Sequence, residues 1–143
     1  MELDIRTAYA AERPIAVISA ATTWDEYPEL WQRLLDRVHA EVQHPGRNVM
    51  YYKDDLPHVE VGVEILPGTR LGDAVQRSSL PAGEVATTTL HGPYDGLEAA
   101  HAAVHRWCAA HAHTLAGPRW EVYGHWHDDP ARLRTEISYL IQR

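Results

Sequence analysis

One acidic side chain, Glu121, lies within the mainly aromatic and apolar residues 118–126. A β-strand directs successive side chains to opposite faces, so Glu121 should share a face with Tyr123 and His125. The intervening residues would form an apolar face that packs in the core. A carboxylate set among aromatic rings suits the binding of a flat, cationic small molecule, so this segment is the first candidate for a functional site.

Glu121 also has the chemistry of a catalytic acid or base. Burial beside aromatic side chains raises the pKa of a carboxyl group, because the loss of water disfavours the charged form. Such a group either attracts a cation or keeps a proton to donate, and Tyr123 on the same face would orient water or polarise a carbonyl. The alternative is an ordinary strand glutamate on the solvated side of an antiparallel sheet.

Further aromatic residues are candidates for the wall of a pocket around Glu121. Tyr94 and Tyr123 can stack on a ligand or donate hydrogen bonds, although tyrosine is also common in cross-strand packing. Trp31 and Trp126 are candidates of the same kind. Together these rings would hold a planar ligand against the carboxylate.

The ten histidines do not predict a metal site. His101 and His105 are spaced i, i+4 on a predicted helix, but the glutamate of a metalloprotease helix motif is missing and no third ligand follows from spacing. We expect His101 to be a hydrogen-bonded core residue and His105 to face outward. His125 and His127 would reach the cleft mouth without forming a catalytic triad. No glycine-rich phosphate loop is present, so neither a metal nor a nucleotide cofactor is expected.

Composition restricts the class of protein. The 143 residues suffice for one domain, 1–143, and thirteen basic against twenty acidic residues give a net charge of −7. Scattered basic residues on an acidic chain disfavour nucleic-acid binding, and no segment has the length needed to span a bilayer. Cys108, the single cysteine, rules out an internal disulfide and should be a buried, inert thiol. We therefore expect a soluble, cytoplasmic protein that contacts neither DNA nor membrane.

The predicted elements repeat in order. Helices are expected over residues 25–43, with Asp25 as a cap and Pro28 in the first turn, and over residues 97–111. Trp24, at a helix start, and Trp107, on an apolar stripe, are assigned to the core. Alternating patterns predict strands at residues 3–8, 15–23, 48–53, 58–66, 83–90, 118–126 and 133–142.

Residues 70–80 lack a regular pattern, and on either side of them a strand, a helix and a hairpin follow one another. The repeat covers about residues 1–68 and 81–143. When the two halves are aligned in sequence, Glu60 and Glu136 occupy equivalent strand positions. A pseudo-twofold arrangement of two such units would leave a ligand cleft at their junction. Glu60 and Glu64 either line that cleft or lie on an exposed strand face.

The order of these pieces carries a family resemblance over nearly the whole chain. It rests on the strand at residues 81–90, the turn His91-Gly92-Pro93-Tyr94, the run Gly117-Pro118-Arg119-Trp120-Glu121-Val122-Tyr123 and the closing strand at residues 134–140. In this order the segments resemble the GyrI-like small-molecule-binding domain. The resemblance implies an α+β fold in which two pseudo-symmetric strand–helix–hairpin units share a curved antiparallel sheet with both helices on one side.

The resemblance also implies a function. The family includes the effector-binding half of multidrug-sensing regulators of the MerR and AraC types, in which a glutamate of the penultimate strand meets cationic aromatic drugs. Glu121 matches that glutamate, and Glu136 matches a second one on the last strand. The expectation is a stand-alone protein that binds bulky aromatic compounds, cationic ones among them.

Other family members leave two alternatives open. Some stand-alone relatives are similar to hydrolases that open the cyclopropane of DNA-alkylating natural products, a role in which Glu121 would act as acid or base. Gyrase-inhibitor-like relatives suggest a protein partner as a weaker third possibility. The chain departs from many relatives in its ending Tyr139-Leu140-Ile141 and in its many histidines and tryptophans, which leaves the identity of the ligand open.

Overall fold

The sheet at the centre of the protein is built from alternating apolar strands, as the sequence predicts. A computed structural model describes residues 3–142, and within them eight antiparallel strands form one sheet. The strands are β1 (Arg6–Ala10), β2 (Arg13–Ala21), β3 (Asn48–Tyr52), β4 (His58–Glu64), β5 (Gln76–Leu80), β6 (Gly83–His91), β7 (Leu115–Tyr123) and β8 (Arg134–Ile141). The helices are α1 (Tyr27–Glu41) and α2 (Leu97–Ala110), which confirms the α+β class.

Strand order shows how the two repeats combine. Across the sheet the order is β1-β6-β8-β7-β3-β4-β2-β5, so β7 and β3 are paired at the centre. Moving outward from the centre, β8, β6 and β1 on one side correspond to β4, β2 and β5 on the other. Each repeat keeps its hairpin, and the strand that comes just before β2 or β6 in sequence pairs in the other half, since β1 pairs with β6 and β5 pairs with β2. β5 lies within residues 70–80, for which no regular element was predicted.

Both helices pack on one face of the sheet, as expected. Val38 of α1 belongs to a buried cluster with Ala16 and Val63, and Val104 of α2 belongs to another with Ile137. The β-branched residues of the strands therefore meet the apolar stripes of the helices. Pro28 lies in the first turn of α1, where a missing N–H costs nothing. Asp25 does not cap this helix; instead the Thr23 hydroxyl accepts a hydrogen bond from the Glu26 N–H at 3.2 Å.

The other face of the sheet encloses a second core because the sheet curls. Its buried cluster combines Val85, near one end of the sheet, with Ile15 and Leu80 from the other end, and Trp120 from the centre. Residues 11–12 alone connect β1 to β2, although β1 is at one end of the sheet and β2 is the second strand from the other end. A flat sheet could not be joined this way, so the curvature follows from the connections.

Two tryptophans assigned to the core differ in their surroundings. Trp107 packs against the cluster beneath α2. Trp24 is 47% exposed, and its indole N–H donates to the Asp55 carbonyl at 3.3 Å, so its assignment to the core is wrong. The residue lies in the connection between β2 and α1, outside both elements. None of the helices in the described residues is long and apolar enough to cross a bilayer.

Candidate functional site

Glu121 occupies the middle of the sheet on the face that the helices cover. Strand β7 lies between β3 and β8, and in register Glu121 is flanked by Met50 on one side and Ile137 on the other. The alternation predicted for the strand holds for Trp120 and Val122, which are buried in the core on the opposite face. Glu121 is only 4% exposed, so its carboxylate depends on protein partners rather than on bulk water.

Three side chains from three elements hold the carboxylate. Tyr52 of β3 and Tyr123 of β7 each donate a hydroxyl hydrogen bond to Oε1 at 2.9 Å. His101 of α2 lies with Nε2 2.7 Å from Oε2, and its Nδ1 lies 2.6 Å from the hydroxyl of Tyr139. One neutral tautomer satisfies this chain, with Nε2–H donating to Glu121 and Nδ1 accepting from Tyr139.

The two tyrosines are donors that keep their protons. Burial, and then the negative charge of Glu121, raises the pKa of Tyr52 far above its ordinary value. The same two causes raise the pKa of Tyr123. Ionising either hydroxyl would place two negative charges side by side in a poorly solvated site. Both side chains therefore stabilise the charged carboxylate by hydrogen bonding without acting as acids at neutral pH.

An aromatic pocket of about 420 Å³ lies above Glu121, between the sheet and the beginnings of the two helices. Tyr94 contacts Tyr123 edge to face, with ring centroids 5.4 Å apart, and Trp126 lies 6.4 Å from Tyr94. Trp126 is 69% exposed and stands at the mouth. The lining residues are Tyr27, Trp31, Leu35, Asn48, Met50, Tyr52, Tyr94, Leu97, Glu121, Tyr123, Gly124 and Trp126.

The two halves of the pocket correspond in residue position but differ in chemistry. Met50 of β3 is the pseudo-twofold counterpart of Glu121, since the two face each other across the central strand pair. Trp31 is the counterpart of His101, because each lies four residues after the first residue of its helix. One end of the pocket is therefore acidic and hydrogen-bonded, and the equivalent end is apolar.

The comparison with protein families agrees with this architecture. A family model for the GyrI-like small molecule binding domain matches residues 3–141. The chain belongs to this family. No curated protein matches the sequence.

Several solved structures share this fold. The C-terminal domain of EcmrR superposes with a TM-score of 0.72 at 18% identity, covering 100% of this chain and 99% of that one. SAV2435 bound to tetraphenylphosphonium gives 0.69 at 14% identity, covering 99% and 94%. A hydrolase from Listeria innocua gives 0.61 at 10% identity, covering 96% and 91%. The present chain spans 58% of the EcmrR chain seen in its DNA complex.

Five of the six residues predicted for the site line one pocket of this GyrI-like domain: Glu121, Tyr123, Tyr94, Trp126 and Trp31. They come from β7, from α1, from the turn before α2 and from the loop after β7, and the fold brings them to one pocket. The pocket lies between the two repeats, where the sequence places a cleft.

Glu136 does not lie in this pocket, and its predicted position beside Glu121 is wrong. In the register of the sheet Glu136 is opposite Val122, so it belongs to the other face. There it forms an ion pair with Arg47 at the edge of a larger cleft of about 860 Å³. His125 also lines that cleft, because β7 ends at Tyr123 and the chain turns away before His125 is reached.

Two other glutamates considered for the pocket are also on the far face. Glu60 is buried there and accepts hydrogen bonds from Lys53 at 3.2 Å and from Ser78 at 2.5 Å. Glu64 is paired with Arg13 and Arg47. Neither carboxylate can reach a ligand above Glu121.

The sequence missed the roles of Tyr52 and His101. His101 was expected to be a hydrogen-bonded core residue, and His105 does face outward as predicted. What was not foreseen is that the hydrogen-bond partner of His101 is Glu121. The inward position of His101 on α2 was the available signal, whereas the position of Tyr52 depends on the pairing of β3 with β7.

Arg119, the basic residue of β7, is paired with a carboxylate other than Glu121. Arg119 donates to Asp55 at 2.6 Å, and its guanidinium lies 5.7 Å from the Trp24 ring and 5.8 Å from the Tyr52 ring. Within residues 3–142, no cluster of three or more histidine, cysteine, aspartate or glutamate side chains is arranged to hold a metal ion.

Proposed function

We propose that this GyrI-like protein binds a bulky aromatic cation in the pocket above Glu121. The observation that carries the proposal is the buried Glu121 carboxylate on the floor of an aromatic pocket. Its hydrogen-bond partners in the described part of the chain are two tyrosine hydroxyls and one imidazole, and none of them is a fixed cation. A cationic ligand would supply the missing charge while its rings pack against the aromatic wall.

Hydrogen-bond geometry favours one kind of cation. A carboxylate has about four lone-pair directions, and three of those on Glu121 are already occupied. An ammonium or guanidinium with several N–H donors would have to displace the tyrosines. A cation with delocalised or shielded charge makes no such demand. That SAV2435 is bound to tetraphenylphosphonium, a cation of this kind, supports the same ligand class here.

The test is a calorimetric titration with tetraphenylphosphonium and with neutral triphenylphosphine oxide. Glu121→Gln keeps the size of the side chain and removes its charge. We expect it to weaken the cation by about 10- to 100-fold, equivalent to roughly 1.4 to 2.8 kcal/mol, and the neutral compound by less than about threefold.

Glu136→Gln is the matched control, because it removes the same charge from the opposite face of the same sheet. It should leave both affinities within about twofold, since the long-range effect of one charge is screened. Equal losses for the cation and the neutral compound in Glu121→Gln would contradict recognition by charge. An equal loss in Glu136→Gln would contradict recognition by Glu121.

A second candidate function is hydrolysis of a cyclopropane-bearing alkylating compound. The observation in its favour is the hydrogen-bond chain from Glu121 through His101 to Tyr139, which can take up a proton from the pocket. Glu121 would accept a proton from water as the water oxygen attacks a ring carbon. The cleaved carbon–carbon bond would leave its electron pair on a conjugated carbonyl. Tyr123 would orient that carbonyl by turning its hydroxyl away from Glu121 once the carboxylate is protonated, and solvent would protonate the product.

Turnover separates the two functions. Hydrolysis predicts many equivalents of ring-opened product per protein, with a loss of at least about 100-fold in Glu121→Gln. Stoichiometric binding without ring-opened product would exclude the hydrolase and leave the binding function in place.

A further inference from the structure

His101 links the pocket carboxylate to a third tyrosine hydroxyl on the sheet, that of Tyr139. Both ring nitrogens have partners, Glu121 at 2.7 Å and Tyr139 at 2.6 Å, and the side chain is 21% exposed. Neutral imidazole donates to Glu121 and accepts from Tyr139. Imidazolium donates to both, with the Tyr139 hydroxyl turned to accept. The same geometry therefore accommodates His101 with one proton or with two.

The other titratable and charged groups around His101 come from α2 and from three strands of the sheet. Burial raises the pKa of Tyr139 to about 12, so this hydroxyl stays neutral. On α2, burial and then the positive charge of Arg119 lower the pKa of His105. Arg119, on β7, is a permanent cation paired with Asp55. Tyr52 and Tyr123, the remaining partners of Glu121, have raised pKa values and stay protonated.

A proton on His101 and a cation in the pocket would have the same electrostatic partner. Each places one positive charge beside Glu121, and the two positive charges repel each other in a poorly solvated site. Filling the pocket with a cation therefore favours neutral His101. By the reciprocity of linkage, a protonated His101 weakens the cation to the same extent.

We propose that His101 determines cation affinity by exchanging its proton for the ligand: the proton leaves the imidazole as the cation takes its place beside Glu121. The inference rests on the proposed cation-binding function and adds to it a specific residue and a released proton. Affinity should rise with pH between about 5 and 8, where histidine side chains change charge, and should level off above that range. Neutral ligands should show no such trend.

The experiment measures the dissociation constant of tetraphenylphosphonium, whose charge does not depend on pH, from about pH 5.5 to about pH 8.5. For the natural sequence we expect affinity to rise by up to about tenfold per pH unit in the acidic part of the range. Calorimetry in two buffers of different ionisation enthalpy should detect up to about one proton released per cation bound. Triphenylphosphine oxide provides the neutral comparison.

His101→Gln is the diagnostic variant, because an amide can still donate to Glu121 and accept from Tyr139 but cannot take the proton. It should bind the cation with a much smaller pH dependence and release no proton. His111→Gln, which changes an exposed histidine at the end of the same helix, should behave like the natural sequence.

The outcomes are distinct. Cation binding that is independent of pH, or unaccompanied by proton release, overturns the inference and leaves the proposed function standing. A His101→Gln protein that keeps the full pH dependence overturns the assignment to His101. Absence of cation binding at every pH overturns the proposed function, and the inference with it. If His101→Gln does not fold, the absence of a released proton on the natural sequence would still overturn the inference.

Discussion

Arg47 lies between two carboxylates on the face of the sheet opposite the pocket. Its Nε donates to Glu64 at 2.8 Å, another of its nitrogens donates to Glu136, and Arg13 donates to Glu64 at 3.0 Å. Burial favours the neutral form of Glu64, but the two arginines outweigh burial and lower its pKa. The cluster joins β2, β4, β8 and the residue before β3, so it connects the two repeats.

The lowered pKa of Glu64 predicts a pH-dependent contribution to stability. A carboxyl group whose pKa is lower in the folded state stabilises the fold above its unfolded pKa, roughly 4.3, and loses that contribution as pH falls through the folded value. Glu64→Gln should therefore lower the free energy of unfolding by about 1 kcal/mol at neutral pH, a modest value because both arginines are partly exposed. Urea unfolding followed by circular dichroism measures it.

The difference between the two proteins should shrink as the solution is acidified below about pH 4. Glu12 is an exposed glutamate in the turn between β1 and β2, and Glu12→Gln serves as the control. It should change the free energy of unfolding by less than about 0.5 kcal/mol. A Glu64→Gln loss that is equal at neutral and acidic pH would contradict the role assigned to the charge.

At this scale the sequence could identify Glu121 and the aromatic residues but not all of their partners. Alternation within one strand is a local property, so Glu121 and Tyr123 could be placed on one face from their spacing. The position of Glu136 depends on the register between two strands, and a shift of one residue exchanges the faces. Tyr52 and His101 reach Glu121 through contacts between elements far apart in sequence, which single-chain periodicity does not encode.

Among the elements, β4 requires a glycine at its point of closest approach to β2. A Cβ added to Gly62 would lie 1.8 Å from the carbonyl oxygen of Ala16, which is main chain and cannot rotate away. The corresponding position of the second repeat, on β8, is Ser138, whose hydroxyl lies 3.0 Å from that of Thr87. The two hairpins are therefore similar in pattern but not in backbone spacing.

Gly62→Ala should destabilise the fold by about 2 to 4 kcal/mol, because the strands must separate to admit the methyl group. Chemical unfolding of the full chain measures the effect. Ser138→Ala is the comparison at the equivalent position and should cost only about 1 kcal/mol, the typical contribution of one hydrogen bond. Equal losses in the two variants would show that the approach of β4 to β2 is not the limiting contact.

Most elements could be predicted because their residues alternate strongly or follow a helical period. The helices end within two residues of the predicted limits, and both hairpins occur where expected. β5 escaped prediction because Gln76-Arg77-Ser78-Ser79-Leu80 is largely polar and lacks β-branched residues. It is a strand because β2 offers it a free edge, and that depends on the whole sheet.

For the molecule as a whole, the exchange of leading strands makes the two repeats interdependent. β1 completes the second repeat and β5 completes the first, so each half contributes an edge strand to the other. The repeat was visible in the sequence, whereas the exchange was not, because it depends on which edges pair in space. The pocket lies where the two halves meet, so its shape depends on both of them.

The unlike ends of the pocket give any charged occupant a direction. A cation held above Glu121 would turn its charged end toward α2 and its uncharged end toward Met50 and Trp31. Changes at the charged end of a ligand would then alter its affinity through electrostatic interaction with Glu121. Changes at the far end would alter its affinity only through packing in the pocket. Ligands that share one charged group could be lengthened toward α1 without disturbing the contact with Glu121. A reporter dye would therefore be attached at the uncharged end of the ligand.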